Sequence, residues 1–176
     1  MEAIIKNTIS GNLKDICNVA VVASNNPDAA GIAIAASLGI PSIVIESRNK
    51  AREDYEVEVL EELKKYSIDY IILAGFNRIL SPYIVSKFRS RIINIHPADT
   101  RVFKGLHGYE WAFQNQLPRT TITVHYVDEG MDTGAIIAQK EVDLQGCHNL
   151  AEVTERGLKV ENSFFSEALA SLFSNC

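Results

Sequence analysis

Short apolar runs rich in β-branched residues alternate with helix-length segments along this chain, and that alternation limits its fold more than any other feature. Val19 to Ala23, Ile40 to Glu46, Asp69 to Ala74 and Ile92 to His96 are too short for buried helices and read as strands. Between them lie helical stripes. Residues 1–10 carry Ala3, Ile4, Ile5 and Ile9, ending near Ser10-Gly11. The next helix is capped by Asn26, with Pro27 at its first position and Gly39 at its end. Residues 51–66 place Tyr55, Val59, Leu63 and Tyr66 on one stripe, with acids and lysines opposite. Ser81-Pro82 opens a short helix to about Phe88, and another runs from about Leu106 to Asn115. Thr120 to Val127 and Ala135 to Val142 read as strands, and a long helix marked by Leu150, Val153, Gly157, Val160, Phe164 and Ala168 ends the pattern. The fold class is therefore α/β: a mostly parallel, twisted sheet with helices on both faces.

A chain of 176 residues forms a single domain, 1–176, with a real core. Its net charge of −5, without a basic stripe, argues against nucleic-acid or membrane-surface binding. The densest basic cluster, Lys87, Arg89 and Arg91, reads as a solvated helix end. Cys17, Cys147 and Cys176 have neither metal spacing nor an even disulfide framework, so reduced thiols in a cytoplasmic protein are the expectation. No signal peptide or bilayer-length apolar run is present. A metal is not expected, because nothing has His-x-x-x-His or Cys-x-x-Cys spacing. The turn after the first strand, Ser-Asn-Asn-Pro-Asp, lacks the glycines of a nucleotide-binding loop.

Ligands in open α/β sheets gather at the carboxyl ends of the strands. That rule places four stretches on one rim: Ala74 to Leu80, Asn94 to Pro97, the 98–105 loop and the 128–134 loop. Strand alternation sets Asn94 and His96 on one face, and the Gly-bounded loop after His125 offers Asp132. These groups suit acyl transfer to an amine. The Asn94 amide and a protonated His96 can donate to the oxyanion of a tetrahedral intermediate, and Asp132 can take the proton of the attacking ammonium. The plainer reading is a hydrogen-bonded rim pair and a turn aspartate, with His125 a satisfied strand histidine. Spacing alone favours that plainer reading about two to one.

Several stretches together resemble the folate-dependent formyltransferases of the phosphoribosylglycinamide formyltransferase type. They are Ala74-Gly-Phe-Asn-Arg-Ile-Leu-Ser-Pro82, Asn94-Ile-His-Pro97, Phe103-Lys-Gly-Leu-His107 and Val124-His-Tyr-Val-Asp-Glu-Gly-Met-Asp-Thr-Gly134. Ser24-Asn-Asn-Pro-Asp-Ala-Ala-Gly31, Gly39-Ile-Pro41 and Lys159-Val-Glu161 extend the match along essentially the whole chain. The resemblance implies a Rossmann-like fold and transfer of a formyl group from 10-formyltetrahydrofolate, a co-substrate, to the amino group of glycinamide ribonucleotide in purine synthesis. It implies a catalytic set of Asn94, His96 and Asp132 with His125 held close. Folate would meet Arg78, Ile79 and Leu80 and the loop residues Asp128, Glu129, Gly130 and Met131. Glu161, Asn77 and Pro97 would face the acceptor. The partners implied are these small molecules, with a homodimer left open.

The departures from the family pattern concern the acceptor. Members begin with one more, central strand and a Ser-Gly-x-Gly-Ser-Asn phosphate loop, whereas Met1-Glu-Ala-Ile-Ile aligns just after that loop. Either the biological chain starts upstream or a partner subunit adds a strand. Asn77 replaces a methionine, Ala98-Asp-Thr-Arg101 replaces Ser-Leu-Leu-Pro, Asn162 replaces a histidine, and Leu158 stands where some members have lysine. Arg101 is therefore a candidate for holding an anionic group of the acceptor, against the plainer reading of a solvated loop arginine. Three alternatives stay open: a transferase for another amine such as an amino sugar nucleotide, a 10-formyltetrahydrofolate hydrolase, and a non-catalytic folate-binding paralogue.

Overall fold

In the computed structural model, which describes residues 1–174, strands and helices alternate as the apolar pattern requires. The order is α1 (Glu2–Ser10), β1 (Val22–Ser24), α2 (Ala30–Ser37), β2 (Ser42–Val44), α3 (Arg52–Leu63) with a 3₁₀ turn (Lys64–Tyr66), and β3 (Ile71–Leu73). Then come α4 (Pro82–Lys87), β4 (Ile92–His96), α5 (Gly108–Gln114), β5 (Arg119–Tyr126), β6 (Ile136–Asp143) and α6 (Leu150–Phe173). Cys176 lies outside the described residues; Cys17 and Cys147 are free thiols. Among the described residues no helix is long and apolar enough to cross a membrane.

β1 and β2 pair in parallel, as do β3 and β4, and the second pair is extended by β5 and β6, which run antiparallel to their neighbours. Only nine residues, 127–135, separate β5 from β6, enough for a direct antiparallel return, so no crossover helix is required there. The main core lies between this sheet and α1, α5 and α6, around Ile93, Ile122, Val124, Val142, Phe165 and Leu169. A smaller cluster of Leu60, Leu80, Ile84, Val85 and Ile92 fills the space under α3 and α4.

The sheet is in two pieces. Strands β1 and β2 form one, β3 to β6 the other, and no ladder joins β1 to β3. The break lies where the resemblance expects a further central strand. Val22 N–H donates to Pro41 O and Ile71 N–H to Arg91 O, so strand alternation turns the amides of Ala23 and Ile72 toward the break. The residues of β3 are accordingly only half-buried, whereas Ile92 and Ile93 of β4 are fully buried.

Two expectations change. Asn26 does not cap α2; its side chain accepts the Asp28 amide in a local turn that also holds Pro27, and the helix starts at Ala30. On α3 the acids do not all face solvent. Glu56 is 2% exposed, accepting the Ser81 amide at 2.9 Å and the Ser81 hydroxyl. Ser81 is the N-cap of α4, so this carboxylate supplies the acceptor that the first turn of α4 needs.

Replacing Glu56 by alanine leaves the Ser81 amide and hydroxyl buried without a partner and should cost about 2–4 kcal/mol, read by urea denaturation. A cost under about 0.5 kcal/mol would contradict this account of the brace. In native-state hydrogen exchange the Ala23 and Ile72 amides should exchange well before those of Thr123 and Val124. Equal protection would show that the break is closed.

Candidate active site

The site grows from the register of β4 against β5. Asn94 stands opposite His125 and His96 opposite Thr123, so the two strands bring their polar side chains together from adjacent positions. The Asn94 amide nitrogen lies 3.3 Å from His125 Nε2. His125 Nδ1 donates to its neighbour's carbonyl, Tyr126 O, at 2.8 Å, which leaves Nε2 to accept from Asn94 when the ring is neutral. His125 is 2% exposed and fixed by these contacts on both sides.

Asp132 reaches the same place from the 128–134 loop. That loop is braced internally: Asp128 Oδ1 accepts the Gly130 amide at 3.0 Å and the Thr133 hydroxyl at 2.6 Å. Gly134 is required here, since a Cβ on it would lie 1.8 Å from Tyr126 O and hold the loop away from β5. Asp132 itself has φ +50°, a left-handed conformation that aspartate tolerates better than most side chains. Its Oδ2 accepts the Gly105 amide at 2.8 Å and lies 3.5 Å from His96 Nδ1, while Oδ1 lies 3.4 Å from His125 Nε2.

His96 is 4% exposed. Its Nε2 donates to Phe103 O at 3.2 Å, and its ring stacks on Phe103, which in turn stacks on Trp111. Burial holds the imidazole below its ordinary value, against the pull of Asp132, so it is neutral at neutral pH. The resting site thus lacks the protonated His96 of the sequence reading. Burial alone would push the Asp132 carboxyl up, but the His125 contact and the Gly105 amide outweigh it and leave it below its ordinary value. The carboxylate is ionised and half-enclosed: a base beside a neutral imidazole and an amide donor.

The other expected residues divide. Ile79 and Met131 are exposed apolar side chains, 48% and 47%, and Glu129, Gly130 and Asn77 are exposed as well. Leu80 is in the smaller core, so only its backbone is open to a ligand. The Arg78 guanidinium lies over the Tyr55 ring at 5.1 Å and donates to Ser47 at 2.7 Å, which turns it toward α3. Asp128 spends its carboxylate on its own loop. Pro97 packs against α5, where Gly108 lets the helix come close: a Cβ there would meet Pro97 O at 2.7 Å. Arg101 is engaged twice by Asp99, at 2.9 and 2.7 Å, and reaches Gln139 at 3.1 Å. Asp99, held by that guanidinium, is pulled down to about 2. Arg101 is therefore engaged within its own loop, with its guanidinium still open to solvent.

Glu161 stands apart from the trio, in a cavity of about 230 Å³ bordered by Ala74, Gly75, Ile95, Leu158 and Asn162. Ile95 separates Asn94 and His96 in the chain, so β4 is common to both places. Burial pushes the Glu161 carboxyl up, and a hydrogen bond from Tyr109 opposes that. Sequence reading gave no site role to Tyr109, Gly105 or Phe103; Tyr109 and Gly105 act through residues 52 and 27 positions away, Phe103 through His96 seven positions away. Among the described residues no cluster of His, Cys, Asp and Glu is arranged to hold a metal ion.

A sequence profile of the Formyl transferase family matches residues 1–169. The chain is 34% identical to phosphoribosylglycinamide formyltransferase of Bacillus subtilis over 88% of its own length and 80% of that protein. It is 41% identical over 88% of its length to the trifunctional purine biosynthetic protein adenosine-3 of Drosophila melanogaster, of which it spans 12%. The crystal structure of phosphoribosylglycinamide formyltransferase from Bacillus halodurans superposes with a TM-score of 0.92 at 36% identity, covering 98% of this chain and 89% of that one.

The sign of the His96 shift yields a stability test. Its folded value lies below the unfolded one of about 6.5, so between the two the unfolded chain binds more protons. Folding stability should fall as pH drops from 7 to 5, and His96→Asn should flatten that dependence in urea denaturation. An unchanged pH slope in the variant would assign the loss to other groups.

Proposed function

The chain belongs to the formyl transferase family, and from that premise we propose that it moves a formyl group from 10-formyltetrahydrofolate to the amino group of glycinamide ribonucleotide, as a cytoplasmic enzyme of purine synthesis. The observation that carries the reading is the convergence of Asn94, His96 and His125 on an ionised, half-buried Asp132. In this reading the acceptor ammonium gives one proton to Asp132, and the freed nitrogen lone pair attacks the formyl carbon. The carbonyl π-electrons move to oxygen, where the Asn94 amide donates to the growing negative charge. His96, neutral at rest, becomes a donor only once it shares the proton that Asp132 has taken. Collapse re-forms the carbonyl and expels the folate nitrogen, which leaves with the proton held by that pair, while the second proton of the attacking nitrogen passes to the freed Asp132 carboxylate and from there to solvent. His125 acts by orienting Asn94 and Asp132.

The binding roles follow the same rim. The apolar side chains of Ile79 and Met131 and the backbone of Leu80 and of Asp128 to Gly130 are the surfaces offered to the pterin and its linker. Arg78 contributes by keeping the 76–80 segment against α3. Glu161 accepts hydroxyl hydrogens of the acceptor's ribose, with Asn77 and Pro97 on the path between the two sites.

The test is an optical assay of 10-formyltetrahydrofolate consumption with and without glycinamide ribonucleotide. Turnover should require the acceptor, and Asp132→Asn should lower kcat by roughly 10² to 10⁴, the range for a lost general base. Formate release without acceptor would replace this reading by a hydrolase, and full activity of the variant would remove Asp132 from the mechanism.

A further inference from the structure

We propose that Tyr109 is a positioning residue for the acceptor: its hydroxyl holds the Glu161 carboxylate in the orientation that accepts the acceptor's hydroxyl groups. The proposal rests on the reading that Glu161 meets the acceptor. Tyr109 lies in the first turn of α5, is 8% exposed, and donates its phenol hydrogen to Glu161 Oε1. Burial and the adjacent carboxylate push the phenol well above its ordinary value, which makes it the donor of the pair.

The contact is built by a gap in α6. Gly157 lies one turn before Glu161, and a Cβ at Gly157 would come within 2.2 Å of the Tyr109 ring carbons Cε1 and Cζ. Any larger residue there would push the ring off the helix and away from Glu161. A glycine in the middle of a 24-residue helix costs about 1 kcal/mol relative to alanine, and here it creates the slot through which the phenol passes.

The cavity beyond is lined mainly by apolar groups, with Glu161 and Asn162 as its polar side chains. A pocket of that kind orients its ligand through very few polar contacts, so the direction of one carboxylate matters. An ionised carboxyl has roughly four lone-pair directions. Tyr109 occupies one, resists rotation of the group, and leaves the rest for a pair of neighbouring hydroxyls such as those of a ribose.

Tyr109→Phe keeps the ring and removes the hydroxyl. In the formyl-transfer assay its KM for glycinamide ribonucleotide should rise roughly fivefold to twentyfold, with kcat and the KM for 10-formyltetrahydrofolate within twofold. A fold defect would move all three. In a Glu161→Ala background Tyr109→Phe should add nothing to the acceptor KM, because the tyrosine acts through that side chain. An unchanged acceptor KM, or the same increment in both backgrounds, overturns the proposal. If the unaltered chain shows no acceptor-dependent turnover, the function above fails, and the Tyr109 assignment is read from the Glu161 carboxyl by carbon-13 NMR titration. The α-ammonium of Met1 also faces that carboxyl and is common to both forms. A midpoint that moves up in Tyr109→Phe supports the hold on Glu161; an identical midpoint overturns it.

Discussion

The antiparallel register of β4 against β5 is the constraint on which the site depends. It sets Asn94 opposite His125 and His96 opposite Thr123. A slip of one residue would send Asn94 and His96 to the other face of the sheet, away from Asp132. The register is tied from outside the ladder as well. Thr123 donates to Ala98 O at 2.8 Å and accepts from Gln139 at 2.9 Å, so the 98–105 loop, β5 and β6 share one chain of hydrogen bonds. Gly105, at the end of that loop, then donates to Asp132. The same backbone that closes the sheet thus places the base.

Electrostatics at Asp132 follow from how few charges are near. Burial would neutralise the carboxyl, yet the His125 contact and a backbone amide keep it ionised. Burial also keeps His96 neutral, so the pair holds one net negative charge in a partly dry pocket, where interaction with an incoming ammonium is stronger than in water.

Stability is distributed unevenly around this arrangement. The four-stranded piece is anchored by α6 and the main core, and the 76–81 segment is fastened to α3 by Glu56 and by Arg78 on Tyr55. The break between β1 and β3 leaves the other piece with only two short strands. The Glu161 cavity touches Ala74 and Gly75, directly after β3, so it adjoins the less supported edge, while the trio sits on the well-packed strands.

Local pattern alone determined the elements that have a strong period or a sharp stop: β4 ending at Pro97, β5 and β6 around a Gly-bounded loop, α4 opening at Ser81-Pro82, and the long stripe of α6. It also singled out Asn94, His96 and Asp132, because strand alternation and a turn glycine are properties of neighbouring residues. Tertiary structure decided what depends on distant partners. Glu56 reads as a solvent-facing helix acid until the α4 amide it caps is brought over it. Arg101 reads as a free cation until Asp99 and Gln139 close on it. Tyr109 has no signature except a glycine 48 positions later that makes room for its ring, and the sequence cannot show that the two are neighbours. Hydrophobic period is written along the chain, whereas the partner that satisfies a buried polar group is chosen only when the chain has folded.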